Sequence, residues 1–236
     1  MPRINRFIGN FDVHIRTIIV HDLKLIHQIR DVMRSTKGDF VILSNGMGSE
    51  AKYRIQKIQK DIIELVRERT QNVHDSSCRE VTLACAILKR NNFEFVVQKA
   101  SEIGVRHILP LLTSRTVKTN LSFPRLEKIA QEAAEQSGQN IVPSLTSFQT
   151  LKDAVQNVEK NTLALFCDMQ GISLFSQMQK TPISQKVMLF IGPEGGWSEE
   201  EREIAKECGI SFVSLGTTVL RAETAAIVAS YCAVTL

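Results

Sequence analysis

From residue 80 onward, short apolar runs alternate with segments in which apolar residues recur every third or fourth position. Val81–Leu88, Val105–Leu112, Leu163–Cys167, Val187–Ile191 and Ser211–Leu215 are apolar runs of strand length. Between them, Phe93, Val96, Val97, Ala100 and Ile103 mark one helix face that Gly104 can stop. Leu126, Ile129, Ala130, Ala133 and Ala134 mark a second, ended near Gly138. Continuous apolar strands separated by amphipathic helices predict an α/β fold: a mostly parallel sheet covered on both faces. The final segment, Ala222 to Leu236, is apolar nearly all round and carries no charge after Glu223. Such a helix must be buried. Its own domain or a partner subunit could supply that burial, and at a chain terminus the partner is the preferred reading, so a homodimer is expected.

The first 73 residues follow a different rhythm. Asp39–Ser44 reads as a short strand, Gly46-Met-Gly48 as a turn and Glu50–Gln59 as a returning strand, which together make a hairpin, and Ile62–Val66 continues the sheet. One helix interrupts it, with Asp22 as cap and Leu23, Ile26, Ile29, Val32 and Met33 at helical spacing. Residues 70–79, TQNVHDSSCR, are polar and unpatterned and mark a linker.

Composition narrows the class. Of 236 residues, 43% are hydrophobic and 23% charged, which suits one or two globular domains with a substantial core. No apolar stretch approaches the roughly 20 residues of a membrane span, and the N-terminus MPRINRFIGNFD has no apolar signal core. The five cysteines (78, 85, 167, 208 and 232) are scattered without a C-x-x-C pair, and three lie in apolar runs. They read as reduced core thiols of a cytoplasmic protein, with neither a disulfide frame nor a metal site. The net charge of +4 lies wholly in the first third: residues 1–78 carry 13 Lys and Arg against 9 Asp and Glu, and the remainder 16 against 16. A basic module beside a neutral body fits a nucleic-acid grip attached to a catalytic domain, and equally a solvated basic surface.

Two loops carry the candidate chemistry. In VMLFIGPEGGWSEEE, a strand bends at Gly192, and a helix opens at Ser198 with the capping box Ser198/Glu201. Glycines ahead of a helix often cradle phosphate, yet Glu194, Glu199, Glu200 and Glu201 would oppose an anion. The loop matches neither dinucleotide nor P-loop patterns. It reads as a tight turn, or as a site for a neutral or cationic ligand. LGTTVLRAETAA, 215–226, repeats the theme after the next strand: it bends at Gly216 and enters a helix at Arg221 and Glu223. Ligands of open α/β sheets bind beyond the carboxyl ends of strands, so the two loops could wall one pocket.

GPEGG at 192–196 with LRAETA at 220–225 resembles the paired signature of RsmE-type methyltransferases, 16S ribosomal RNA uridine-N3 methyltransferases of the SPOUT superfamily. KRNNFEFVVQKASEIGVRHILPLLTSRTV (89–117), EAAEQSGQNIVP (132–143), HQIRDVMRSTKGD (27–39) and NGMG (45–48) extend the resemblance over nearly the whole chain. It implies a PUA-like RNA-binding β-barrel over 1–73 and a trefoil-knotted methyltransferase domain over 79–236. It also implies S-adenosylmethionine as cofactor, a homodimer, and 16S rRNA or the small ribosomal subunit as partner, with no metal and no membrane. Within the superfamily, another RNA methyltransferase or a non-catalytic RNA-binding assembly factor is the competing reading.

The cofactor shell expected from this resemblance is Phe166, Gly192, Glu194, Gly195, Gly196, Leu215, Gly216, Leu220 and Thr224, with the stretch around Phe166 to Met169 as remaining wall. Glycines let the main chain approach, and Glu194 would not repel a sulfonium. Uridine N3 becomes a nucleophile only when its proton leaves and charge spreads over O2 and O4; Arg221 is the candidate to stabilise that charge. Glu223 either accepts the proton or orients Arg221. Candidate RNA contacts are Arg3, Arg6, Arg30, Arg34, Lys37, Lys89, Arg90 and Arg115. Gln139 and Thr218 stand where the family commonly has arginine. Trp197 could stack on a base or staple the helix start.

Overall fold

The structure, a computed structural model, describes residues 4–72, 79–89, 91–116 and 120–236, with main chain alone at 69–72. Its contacts divide the chain into two compact units, residues 1–75 with 135–141 and residues 76–134 with 142–236. The sequence-based linker falls largely on residues 73–78, outside the described set.

The first unit is built on five strands, β1 (Asn5–Ile8), β2 (Thr17–Val20), β3 (Phe40–Ser44), β4 (Ser49–Ile58) and β5 (Ile63–Asn72), in the order β1-β3-β4-β5-β2. Only β1 and β3 run parallel. Alternation sets the buried face: Val41, Leu43, Tyr53, Ile55, Ile63 and Leu65 are all 0% exposed. Register slips at Lys52/Tyr53 and Ile55/Lys57 bend the sheet. Phe7 of β1 and Val20 of β2, the two edges, enter one core with Ile26 and Ile29, in keeping with the barrel the family resemblance implies.

Asp22 caps α1 (Leu23–His27), its carboxylate accepting the Lys24 N–H at 2.8 Å. The helix widens into a π-helical turn over Gln28–Val32, where Met33 N–H reaches Gln28 O. That extra residue breaks the expected face. Ile26 and Ile29 stay buried and Met33 packs on the core, but Leu23 and Val32 are 66% and 59% exposed.

The second unit holds seven parallel strands: β6 (Val81–Ala86), β7 (His107–Leu112), β8 (Ser144–Leu145), β9 (Gln149–Thr150), β10 (Thr162–Ser173), β11 (Lys186–Ile191) and β12 (Ser211–Ser214). They are ordered β12-β10-β11-β6-β7-β8, with β9 also on β7. Alternate residues of each central strand feed two cores. Leu83, Leu165, Val187 and Leu189 pack with α2 (Asn92–Ile103), α3 (Phe123–Ser137), α5 (Leu174–Lys180) and α7 (Ala222–Thr235). Ala84, Phe166, Met188 and Phe190 pack with α4 (Leu151–Gln156) and α6 (Glu199–Glu207). Apolar residues on both faces are why the strands read as unbroken runs. Gly104 ends α2 at φ +99° and Gly138 follows α3 at φ +88°.

β10 runs six residues past Cys167, where the apolar run stops, because it pairs twice with β12. Cys167 and Ile172 both partner Val213, and residues 168–171 bulge between them. Gly171 permits this: a Cβ there would sit 2.3 Å from the Val213 nitrogen.

α7 buries Ala222, Ala226, Ala229 and Ala233 within its own unit, while Tyr231 is 60% exposed. Its tail is pinned by Arg79, which is 0% exposed. The Arg79 guanidinium donates to Ala233 O and Thr181 O, each at 2.7 Å, and to Pro182 O at 3.3 Å. Among the described residues no helix is long and apolar enough to cross a membrane. No group of three His, Cys, Asp or Glu among them could hold a metal ion.

Candidate active site

The loops leaving β10, β11 and β12 wall a cleft of about 800 Å³ at the carboxyl edge of the sheet. Gly192, Glu194, Gly195, Gly196, Leu215 and Leu220 line it, as does the pair Arg221 and Glu223. Three expected shell residues do not. Phe166 is wholly buried beneath the site, its ring 4.3 Å from that of Trp197. Gly216, at φ +137°, closes a turn in which its N–H meets Ser214 Oγ at 3.2 Å. Thr224 is carried to solvent by the first turn of α7, between wall residues Glu223 and Ala225.

The turn after β11 is tied from several sides. Gly196 takes φ +69°, and its N–H closes on Pro193 O at 2.8 Å. The Glu194 carboxylate accepts the Lys89 N–H at 2.8 Å. Arg115 donates to Gly195 O. Ser198 and Glu201 form the expected capping box, and the other Glu201 oxygen accepts the Ser114 N–H at 2.8 Å. Gly192 makes room for protein: a Cβ would lie 3.0 Å from the Trp197 indole. That indole is 3% exposed and donates to Cys167 O at 3.0 Å. Trp197 therefore packs as a core plug that also lines the cleft.

The β10 bulge brings in Asp168, Met169 and Gln170. The Asp168 side chain is 7% exposed; it accepts Arg202 Nε at 2.9 Å and the Gln170 N–H at 3.1 Å. Arg202 lines the cleft as well and went unmarked in the sequence, where it reads as one more charge on an acidic helix. Arg221, also in the wall, is the N-cap residue of α7 and is exposed. No ion pair joins it to Glu223 or to any other described residue. Thr218 lines the cleft too. Burial pushes the Cys167 thiol up to about 12, which keeps it protonated and un-nucleophilic.

Of the predicted RNA contacts, Arg3 and Arg90 lie outside the described residues. Arg6 is 14% exposed, pairs with Glu50 at 3.1 Å and donates to Gly138 O. Arg30 grips Asp31 in a fork at 2.7 and 2.8 Å and reaches Lys60 O at 3.0 Å. That fork, with His27 beside it, holds the Asp31 carboxyl well below the usual range. Arg34 (φ +55°) and Lys37 are exposed, as is the Lys89 side chain. Lys52 and Arg54, unremarkable in the linear pattern, lie 3.9 and 5.1 Å from the centre of the Phe40 ring. The β3–β4 register, Phe40 opposite Arg54, is what assembles them.

The RNA methyltransferase domain family matches residues 74–233, and the RNA methyltransferase PUA domain family matches residues 26–66. The chain is 34% identical to ribosomal RNA small subunit methyltransferase E of Bacillus subtilis, over 85% of this chain and 83% of the relative. It is 31% identical to the Synechocystis protein of the same name, over 86% and 68%. Among solved structures, ribosomal RNA small subunit methyltransferase E from Neisseria gonorrhoeae bound to S-adenosyl methionine aligns at TM-score 0.86 and 25% identity, over 97% and 95% of the two chains. A Legionella pneumophila protein in complex with the same cofactor aligns at TM-score 0.80 and 28% identity, over 97% and 96%.

Proposed function

The chain belongs to the ribosomal RNA small subunit methyltransferase E family, and from that premise we propose that it transfers a methyl group from S-adenosylmethionine to N3 of a uridine in 16S rRNA. The observation that carries the reading is the cleft at the tips of β10 to β12, with an Arg221 on its wall that no ion pair engages among the described residues. Its volume suits a nucleoside-sized ligand. Its residues suit the cofactor: the glycine turn lets main chain approach, and three carboxylates (Asp168, Glu194, Glu223) against two arginines (Arg202, Arg221) leave no surplus of positive charge for a phosphate.

When bound, the cofactor supplies an electrophilic methyl carbon, and the protein's task is the nucleophile. Arg221 stabilises the charge that spreads over the uracil oxygens as N3 loses its proton. Since no ion pair joins Glu223 to Arg221, Glu223 keeps its oxygens for that proton, directly or through water. This favours the acceptor role over the orienting one.

Substituting Arg221→Lys is expected to lower turnover about 100-fold while leaving cofactor Kd within threefold. Calorimetry and steady-state kinetics measure the two quantities, and equal losses in both would contradict the role. Primer extension on 16S rRNA from a deletion strain should show a vanished stop at the target uridine. A retained stop sinks the substrate assignment. We read the working unit as a homodimer in the cytoplasm, with 1–73 as the RNA grip and 79–236 as a knotted catalytic domain. The double pairing of β12 with β10 supports a threaded path. Exposed Val219 (83%), Tyr231 (60%) and Ile172 (60%) support a partner at α7. Arg34 and Lys37 are exposed cations suited to phosphate, and Lys52 on β4 is half-buried, while Arg54 is paired with Glu68 at 2.8 Å.

A further inference from the structure

We propose that Arg115 is a positioning residue for the cofactor turn, holding the Gly195 carbonyl in place, where the sequence suggested a phosphate contact. The inference rests on the reading of the cleft as the cofactor site. Gly195 and Gly196 are the freest residues of that wall, and glycine loses more conformational entropy on ordering than any other residue. Something must hold them.

Arg115 meets the turn at two points: its guanidinium donates to Gly195 O, and its Cδ lies 3.2 Å from where a Gly195 Cβ would be. The side chain thus lies along Gly195, where an added Cβ would press on the Arg115 stem and require it to shift. Its delivery is rigid as well. Residues 113–116 form a closed turn, with Thr116 N–H on Thr113 O at 3.1 Å, Thr113 N–H on Thr116 Oγ1 at 3.0 Å and the two threonine hydroxyls 2.8 Å apart. Ser114 N–H then fastens that turn to Glu201, a carboxylate only 6% exposed that also caps α6. The charge of Arg115 also acts on Glu200 at the start of α6, whose carboxyl is held below its usual range. Its own N–H and Ser198 contribute more to that lowering than Arg115 does. Although Arg115 is exposed, its guanidinium is committed to the Gly195 carbonyl and its stem lies against the same glycine. Turn and cofactor loop are bound as one piece before any ligand arrives, which spares binding the cost of ordering.

Trp197 gives a readout that needs no ligand, being the chain's one tryptophan, 3% exposed and next to Gly196. In Arg115→Ala, acrylamide quenching of its fluorescence should rise. Calorimetry without RNA should show S-adenosylmethionine binding about tenfold weaker, at an unchanged Tm, as loss of one charge-assisted hydrogen bond implies. Arg115→Lys should recover part of both effects. Unchanged quenching with cofactor Kd within twofold of wild type, whether or not RNA affinity falls, overturns the proposal. If the wild-type chain binds no cofactor yet Arg115→Ala still exposes Trp197, the positioning role stands and the methyltransferase reading falls. Should the alanine variant not fold, Glu201→Gln, which loosens the same turn, reads the same pair of quantities. No change in either then overturns the proposal too.

Discussion

Arg6 and Glu50 show what partial burial does to an ion pair. Their side chains are 14% and 10% exposed, and burial raises the Glu50 carboxyl more than the Arg6 charge lowers it. The folded chain therefore binds more protons at Glu50 than the unfolded chain does, so this site's contribution falls as pH climbs through the raised pKa. Arg6→Ala would leave the carboxylate alone and cost about 3 kcal/mol at neutral pH, with part recovered toward acid. Urea melts at two pH values measure this; unaltered stability with weaker RNA binding would restore Arg6 to the RNA surface. The sequence marks Arg6, Arg30 and Arg115 as cations but cannot show their main-chain partners, which lie 132, 30 and 80 residues away. Glu223 and Arg221 stand out in the sequence because they lie two residues apart where a glycine-bearing loop becomes a helix.

At the scale of elements, the apolar runs place β6, β7, β10, β11 and β12, and the periodicities place α2, α3 and α7. Each pattern reflects burial that its own residues must satisfy. The short β8, β9 and α4 carry too few residues for a period to show, and the π turn in the first unit alters the period itself. Asp168 and Met169 fall within the wall expected around Phe166 to Met169, but Gln170 and Gly171 lie past the apolar run, and only the packing of β12 reveals the glycine as a contact point. Gly171→Ala is expected to destabilise the fold by at least about 2 kcal/mol and to weaken cofactor binding by displacing the Asp168 bulge. Thermal melts with calorimetry test it, and a variant that binds and melts like wild type would remove the need for close approach.

For the whole molecule, the two-part plan was visible as a change of rhythm near residue 75, but the membership of residues 135–141 was not. They group with the first unit through bonds such as Ile8 N–H to Glu135 at 2.7 Å and Gly48 N–H to Asn140 O at 3.0 Å. Backbone-directed bonds of this kind leave no mark on hydropathy. Assembly is the prediction that belongs here. Sedimentation should find two chains per particle, and Tyr231→Asp should yield a folded single chain with lost methylation. A wild-type monomer of full activity would remove the dimer from the mechanism.

The anchorage of α7 by Arg79 has a consequence for where the protein can work. A guanidinium does not surrender its proton at any pH a folded chain tolerates, so the grip on three carbonyls is indifferent to acidity. An ammonium in the same dry place would be tempted to neutrality, binding fewer protons folded than unfolded, and the helix tail would hold better in alkali than in acid. Arginine at this position keeps the C-terminal end of α7 anchored across the whole range of acidity in which the chain stays folded.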